Sequence, residues 1–172
     1  MADDATPNLE TLRRLNDAGY GFYRNPARVR ADDLLVRARA ANYLHRAAAA
    51  LSRAEQALRH AMPAPSRENP FPDPALLATA RALKAFQDRI AIFETRLRGP
   101  AALPDRDFSA VIPTEDLRQR LVTLDAALLD RAAIAEAEAS AAAHAAYESV
   151  LDAFEQAIRE RTELTAGSGR PV

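Results

Sequence analysis

Proline divides this sequence into segments and marks where helices can begin. Three prolines, at positions 7, 26 and 74, each follow a residue whose side chain can accept a hydrogen bond: Thr6, Asn25 and Asp73. Such a residue suits the N-cap of a helix, and proline suits the first helical position because an N–H there has no partner inside the helix. A fourth start is indicated at Thr114, which precedes two acidic residues that would stabilise a first helical turn.

Glycine and proline also mark the predicted ends of these helices. Gly19 and Gly99 stand where a positive φ is needed after a last turn, Pro63 prevents the second helix from continuing, and Gly167 begins a polar tail. The predicted helices span about 7–18, 26–62, 74–98 and 115–165, with a proline-rich linker over 63–74, a strap loop over 99–113 and a flexible tail over 167–172. No strand is predicted, because apolar alternation is missing.

Apolar residues recur every seven positions in the second and third predicted helices. They are Leu44, Leu51 and Leu58 in the second, and Leu76, Leu83, Ile90 and Leu97 in the third. Such spacing is typical of helices packed side by side along a seam. With 172 residues, the chain is long enough for one domain and short for two. We therefore predict a single all-α domain over 1–172: an elongated bundle of four helices, with long coiled-coil-like helices and an alanine-rich C-terminal helix.

The fourth predicted helix is the longest, because neither proline nor glycine occurs between Glu115 and Thr165. As one unbroken helix these 51 residues would measure about 76 Å. Beyond its alanine-rich middle, a block of apolar residues would project past the shorter neighbouring helices: Val150, Leu151, Phe154 and Ile158. Exposed apolar patches mark interfaces, so we predict a homodimer formed through these four residues. The alternative is a bend near Ser140 that folds the block back onto the second helix.

Several classes of function find no support in the sequence. The chain has no cysteine, which excludes disulfides, thiolate metal sites and cysteine nucleophiles. It lacks a nucleophile elbow, a P-loop, a dinucleotide-binding glycine pattern and a zinc-protease helix. No segment has the uncharged length of a membrane span, and the acidic N-terminus lacks the apolar core of a signal peptide. We therefore expect a cytoplasmic protein that is not an enzyme, does not insert into membranes and uses no cofactor.

One pair of residues has a spacing that would suit metal ligands. His144 and Glu148 are four positions apart, so on a helix their side chains would share a face. The alanines around His144 would also leave space for a tetrapyrrole with histidine as its axial ligand. Two ligands do not complete a metal site, and the chain has no Glu-x-x-His pair of the kind that di-iron bundles use. A solvated histidine, or one paired with Glu148, is the simpler interpretation.

Charge is unevenly distributed along the chain. Between residues 11 and 62 there are ten arginines and four acidic residues, whereas between 104 and 165 there are six arginines and thirteen acidic residues. The simpler interpretation is that basic and acidic helices pack side by side. The alternative is that the basic half binds nucleic acid.

The segment GYGFYRNPARVR, residues 19–30, combines aromatic and basic side chains at the predicted corner between the first two helices. In the simpler interpretation, its aromatic residues cap the end of the bundle with their hydroxyls in water. Alternatively, Tyr20 or Tyr23 would stack on bases while Arg24, Arg28 and Arg30 contact phosphates, as in single-strand binders.

These features favour a non-enzymatic helical interaction or assembly protein, such as an adaptor, a chaperone-like protein or a structural subunit. Its partners would be a second copy of the chain or an unidentified protein. Nucleic-acid binding through the arginine-rich and aromatic N-terminal half is the alternative function.

Overall fold

Four helices make up the described part of the computed structural model, which covers residues 21–25, 27–64, 66, 67, 71, 73–99, 114–140 and 146–167. They are α1 (Val29–Ala61), α2 (Pro74–Arg98), α3 (Glu115–Ala139) and α4 (Tyr147–Gly167), and these described residues contain no strand. The helices pack as a bundle around one apolar core. The prediction of an all-α bundle of four helices is thereby confirmed. The helix predicted over 7–18, the strap loop beyond Gly99 and the tail beyond Gly167 lie outside the described residues.

Two of the predicted helix starts are confirmed by side-chain caps. Asp73 accepts a hydrogen bond from the backbone N–H of Ala75 at 2.8 Å, with Pro74 as the first residue of α2. At the start of α3, the Thr114 hydroxyl accepts a hydrogen bond from the backbone N–H of Leu117 at 3.3 Å. Both caps satisfy an N–H group that has no partner inside its own helix.

The start of α1 and the end of α2 differ from the prediction. Asn25 does not cap α1: its side chain accepts a hydrogen bond from Ala27 N–H at 3.0 Å within a preceding turn, and the helix begins later, at Val29. Gly99 follows α2 with φ at −58°, so it does not adopt the left-handed conformation expected of it. Its carbonyl instead accepts a hydrogen bond from Arg37 at 3.0 Å, which ties the end of α2 to α1.

Contacts between residues far apart in sequence fix the directions of the helices. Arg37, near the start of α1, binds carbonyl groups at the end of α2, so these two helices are antiparallel. The ring pairs Phe86–Tyr147 and Phe93–Phe154 advance together along α2 and α4, which are therefore parallel. Helices α1 and α3 are also parallel, and α4 returns antiparallel to α3.

Extensive contacts join α2 to α1, α1 to α3 and α3 to α4, whereas α4 touches α2 at few points. The side between α2 and α4 is thus the most open.

The core contains most of the apolar residues whose spacing predicted it. Leu44 and Leu51 of α1 and Ile90 of α2 are completely buried, and Leu83 and Leu97 are nearly so. Alanines between the leucines of α1 allow neighbouring helices to approach closely.

The prediction of one unbroken helix over 115–165 is wrong, because two helices, α3 and α4, occupy this part of the chain. Helix α3 ends at Ala139, with Ser140 as its C-cap, and α4 runs back antiparallel beside α3. Alanine favours the helical state by a few tenths of a kcal/mol per residue. Burying a large apolar side chain contributes about 1.5–3 kcal/mol, so reversing the chain to bury Leu151 and Phe154 outweighs helical continuity. The reversal matches the predicted alternative, although α4 packs mainly against α3, with the Phe154 ring also touching Phe93 of α2, rather than against α1.

Candidate functional site

The corner before α1 places one tyrosine inside the bundle. Residues 21–24 form a turn closed by a hydrogen bond from Arg24 N–H to the Gly21 carbonyl at 3.1 Å. Tyr23 has φ at +62°, a left-handed conformation that is unfavourable for a residue other than glycine. Two hydrogen bonds hold it there: its N–H donates to the Asp32 carboxylate at 3.0 Å, and its hydroxyl donates to Asp125 at 2.5 Å. The expectation that the corner hydroxyls lie in water is wrong for Tyr23, because its hydroxyl finds a buried acceptor.

Arg161 of α4 lies at the centre of a group of buried polar side chains. Its Nε donates to Asp125 Oδ1 at 2.6 Å, and its Nη2 donates to Asp33 Oδ1 at 2.5 Å. The other oxygen of Asp125 accepts the hydrogen bond from the Tyr23 hydroxyl. None of the four residues is more than 6% exposed. We refer to Tyr23, Asp33, Asp125 and Arg161 as the buried cluster.

Arg37 connects the buried cluster to the end of α2. Its Nη1 lies 3.5 Å from Asp33 Oδ2, and neither of these buried atoms has a hydrogen-bond partner in the described part of the chain. Its Nη2 donates to the backbone carbonyls of Arg96 at 3.1 Å and Gly99 at 3.0 Å. The last carbonyls of a helix have no partner inside it. Arg37 therefore caps the end of α2 from a neighbouring helix while keeping one nitrogen without a hydrogen bond.

Burial and neighbouring charges control the ionisation of the buried cluster. Burial raises the pKa of Tyr23 well above its usual value, and the adjacent Asp125 carboxylate raises it further. Burial also raises the pKa of Asp125, against the opposing effect of Arg161. Burial alone would lower the pKa of Arg161, but Asp125, Tyr23 and Asp33 together raise it. Tyrosine and arginine consequently both keep their protons at neutral pH, and the arginine charge is compensated inside the bundle.

A cavity of about 640 Å³ lies next to the buried cluster, on the open side of the bundle. Its wall includes Arg37 and Arg161 together with the apolar side chains of Leu97, Leu128 and Ile158. Small-molecule sites commonly occupy about 300–1,000 Å³. The cavity is therefore large enough for a small organic ligand.

The outer face of α1 carries exposed apolar side chains. Leu34 and Leu35 are 46% and 54% exposed, although leucine is among the residues most often buried. Together with the exposed Ala31 and Ala38, they occupy positions i, i+3, i+4 and i+7 of the helix and so share one face. We refer to Ala31, Leu34, Leu35 and Ala38 as the α1 stripe.

The residues predicted for nucleic-acid binding do not meet in one exposed surface. Tyr23 is 2% exposed, so its predicted role of stacking on a base is wrong. Arg24 forms an ion pair at 3.1 Å with an acidic residue in the first turn of α3. Arg28 and Arg30 are exposed around the start of α1, and Tyr20 lies outside the described residues.

The four residues predicted for self-association are covered by the chain itself. Leu151 and Phe154 are completely buried, and the Phe154 ring centroid lies 5.4 Å from that of Phe93 in α2. Val150 and Ile158 are partly buried against the same core. The prediction assumed a straight helix that would leave this block in water, and the reversal between α3 and α4 removes that assumption. The apolar surface on which the homodimer was predicted is therefore not exposed.

The weak candidates for metal binding are only partly described. His144 lies outside the described residues, and Glu148 is exposed in the first turn of α4. Within the described ranges, no three histidine, aspartate or glutamate side chains are grouped so that they could hold a metal ion. His45 and His60 are both exposed, and His45 lies 3.7 Å from Glu94. In that same part of the chain, no helix is long and apolar enough to cross a membrane.

Reasoning from the sequence missed the buried cluster. Its hydrogen-bonded pairs are separated by 36 to 138 residues, so no local motif contains them. A weaker signal was present: Asp125 lies between Leu121 and Leu128 on the apolar face of its helix, and Arg161 follows Ile158 in the same way. Charged residues on an apolar face are seldom buried unless they are paired. Two such positions of opposite charge could have been predicted to meet.

Any functional assignment has to rest on the geometry described above. The chain matches no family model, no curated protein and no solved structure. Two features can be tested as binding sites: the α1 stripe and the cavity beside the buried cluster.

Proposed function

We propose that the chain is a non-enzymatic interaction protein that binds an amphipathic helix of a partner protein through the α1 stripe. The observation that carries this proposal is the exposure of two adjacent leucines, Leu34 at 46% and Leu35 at 54%. Exposed apolar patches surrounded by polar residues mark interaction sites. The i, i+3, i+4, i+7 spacing of the stripe suits packing along one face of a second helix.

The charges around the α1 stripe indicate the chemistry of the partner. Asp32 and Asp33 are buried, where they bind groups inside the bundle. Arg28, Arg30 and Arg39 are exposed, so the outer surface of this part of α1 is basic. The complementary partner is a helix with apolar residues on one face and acidic residues beside them.

Nucleic-acid binding is the second candidate function, and the exposed Arg28 and Arg30 favour it. Two observations favour the protein partner instead. Tyr23, which would have stacked on a base, is buried, and the α1 stripe beside the arginines consists of leucine and alanine. Single-strand binders stack bases on aromatic rings and contact phosphates with polar or basic groups, so exposed leucines have no role in that mode.

Photo-crosslinking distinguishes these candidates. A photoreactive phenylalanine derivative replaces Leu35 and, in a matched control protein, Ile92, which is 52% exposed but lies on α2. Both proteins are irradiated in a lysate of the native host, and the adducts are identified by mass spectrometry. We expect an adduct from position 35 only, with a partner helix that has an apolar face and acidic neighbours. Leu34→Glu should abolish this adduct by placing a charge in the stripe.

Affinity measurements with the purified partner then test whether the adduct reflects specific binding. Leu34→Glu should weaken binding by about tenfold or more, which corresponds to about 1.4 kcal/mol, whereas Ile92→Glu should leave it unchanged. An adduct with nucleic acid would support the second candidate, and an adduct with a second copy would support self-association. An adduct with residues 1–20 of the same chain, or equal adducts from both positions, would contradict the proposal.

A further inference from the structure

We propose that the partner helix lies lengthwise along α1, extends beyond the α1 stripe, and carries acidic residues at seven-residue intervals that face exposed arginines of α1. This inference rests on the proposed function and adds the length and the charge pattern of the partner. The observation behind it is a set of three arginines spaced seven residues apart in α1. We refer to Arg39, Arg46 and Arg53 as the arginine row.

The arginine row continues the face of the α1 stripe. Residues seven apart are separated by nearly two helical turns, so the three arginines lie along one side of α1. Leu35 and Arg53 are 18 residues apart, which corresponds to five turns and about 27 Å, so their side chains leave the helix in the same direction. Arg39 follows Leu35 by about one turn. The stripe and the row therefore form one continuous surface, which is apolar near the start of α1 and basic beyond it.

Two members of the arginine row can still accept an ion-pair partner. Arg39 and Arg53 are exposed, and neither forms an ion pair or a side-chain hydrogen bond within the described ranges. Arg46 instead donates two hydrogen bonds to Glu136 of α3, at 2.5 Å and 2.7 Å. The acidic residues of α1 are all buried: Asp32, Asp33 and Glu55. Carboxylates of a partner could therefore approach Arg39 and Arg53 without meeting an exposed acidic residue of α1.

The spacing of the arginine row favours a helical partner. A helix packed alongside α1 presents nearly the same face every seven residues, so acidic residues at that interval could meet Arg39 and Arg53, which are about 21 Å apart. Apolar residues at one end of the same helix would cover the α1 stripe. Because Leu35 and Arg53 are about 27 Å apart, such a helix needs at least about 20 residues.

Other occupants of this surface fit it less well. Two copies of the chain joined through α1 would place arginines opposite arginines, and like charges disfavour such a contact. A nucleic-acid strand could pair with Arg39 and Arg53 through its phosphates, but it would leave the leucines of the α1 stripe without an apolar partner.

Synthetic helices of about 25 residues provide a direct test. The face-matched peptide carries leucines at positions i, i+3, i+4 and i+7 and, on the same face, glutamates at seven-residue intervals. The control peptide has the same composition, but its glutamates lie on the opposite face. Each peptide is made with its leucines at the N-terminal or at the C-terminal end, and binding to the full chain is measured by fluorescence anisotropy. In the better direction, the face-matched peptide should bind about fivefold or more tightly than its control, because it adds two ion pairs.

Arg53→Glu tests the arginine row separately from the α1 stripe. It should weaken binding of the face-matched peptide by about threefold or more, because a repulsion replaces an attraction, whereas Arg53→Lys keeps the charge and should bind nearly as the wild type does. Arg81→Glu is the matched control, because Arg81 is an exposed arginine of α2, and it should leave binding unchanged. Circular dichroism checks that all variants fold.

Several outcomes would overturn this inference. If Leu34→Glu abolishes binding while Arg53→Glu leaves it unchanged, a helix binds the α1 stripe without extending along α1, and the proposed function stands alone. Equal binding of the two peptides, or equal effects of Arg53→Glu and Arg81→Glu, would mean that the row does not recognise a matching acidic face. If neither peptide binds saturably, the inference is wrong, and the photo-crosslinking experiment decides the proposed function separately. A single-stranded DNA that binds in place of the peptides, and does so less tightly to Arg53→Glu, would assign the row to nucleic acid instead.

Discussion

Replacing Arg161 with methionine tests the energetic role of the buried cluster. Methionine keeps an unbranched apolar stem but removes the guanidinium, so Asp33 and Asp125 would remain buried without the charge that both of them bind. Removing one partner of a buried ion pair typically costs about 3–5 kcal/mol. In a chain of this size each 1 kcal/mol lowers the melting temperature by about 2–4 °C, so a decrease of about 6–20 °C is expected.

Urea unfolding followed by circular dichroism measures this loss as a free energy of unfolding. Arg159→Met is the control, because Arg159 is exposed two positions earlier on the same helix, and its effect should stay within about 0.5 kcal/mol. The loss caused by Arg161→Met should shrink at acidic pH, because burial raises the pKa of Asp125 and the arginine charge that opposes this effect is gone. Adding Asp125→Asn should recover part of the lost stability, since one of the two uncompensated carboxylates is removed.

Two outcomes would refute this account of the buried cluster. A loss below about 1 kcal/mol would mean that Asp33 and Asp125 are not held in a dry interior that depends on Arg161. A loss of the same size at neutral and acidic pH would mean that unpaired carboxylate charge is not its cause.

The corner and the buried tyrosines give two further predictions. Phe22 is 3% exposed, so Phe22→Ala should lower the free energy of unfolding, measured in urea, by about 3–5 kcal/mol. Arg28→Ala is the control at an exposed position, and its effect should stay within about 0.5 kcal/mol. Similar losses in both variants would contradict the burial of Phe22. The free energy of unfolding should also fall as the pH rises above about 10. Burial raises the pKa of Tyr23 and Tyr147 in the folded chain, so the unfolded chain releases protons that the folded chain retains. Tyr147→Phe should make this alkaline loss shallower, and an unchanged slope measured by urea unfolding across that pH range would count against the prediction.

Local signals in the sequence were sufficient to predict α2 and the start of α3. The caps at Asp73 and Thr114 depend on only a few consecutive residues, and both bounds of α2 agree with the predicted range 74–98. The acceptor side chain, the proline or acidic first turn and the following helical sequence all act within the same segment. Such features can be predicted without knowledge of the rest of the fold.

The reversal after Ser140 and the burial of Tyr23 could not be predicted in this way. No helix breaker occurs at Ser140, and the reversal is stabilised by the burial of Leu151 and Phe154 against helices far away in sequence. The left-handed conformation of Tyr23 likewise depends on hydrogen bonds to Asp32 and Asp125, of which the second is 102 residues away. In both places, contacts between distant residues outweigh the local preference, which is a continued helix after Ser140 and a negative φ at Tyr23.

The buried cluster also bears on how many ways this chain can assemble. Its members come from the corner, α1, α3 and α4, and Arg161 of α4 forms hydrogen bonds with both Asp33 of α1 and Asp125 of α3. Sliding α4 by one helical turn, about 5.4 Å, would remove both hydrogen bonds while α4 still covered the two carboxylates. Leaving a buried charge without its partner typically costs about 3–5 kcal/mol. The cluster thus sets the register of α4, a constraint that the surrounding leucines and alanines, which are interchangeable in a shifted alignment, could not impose.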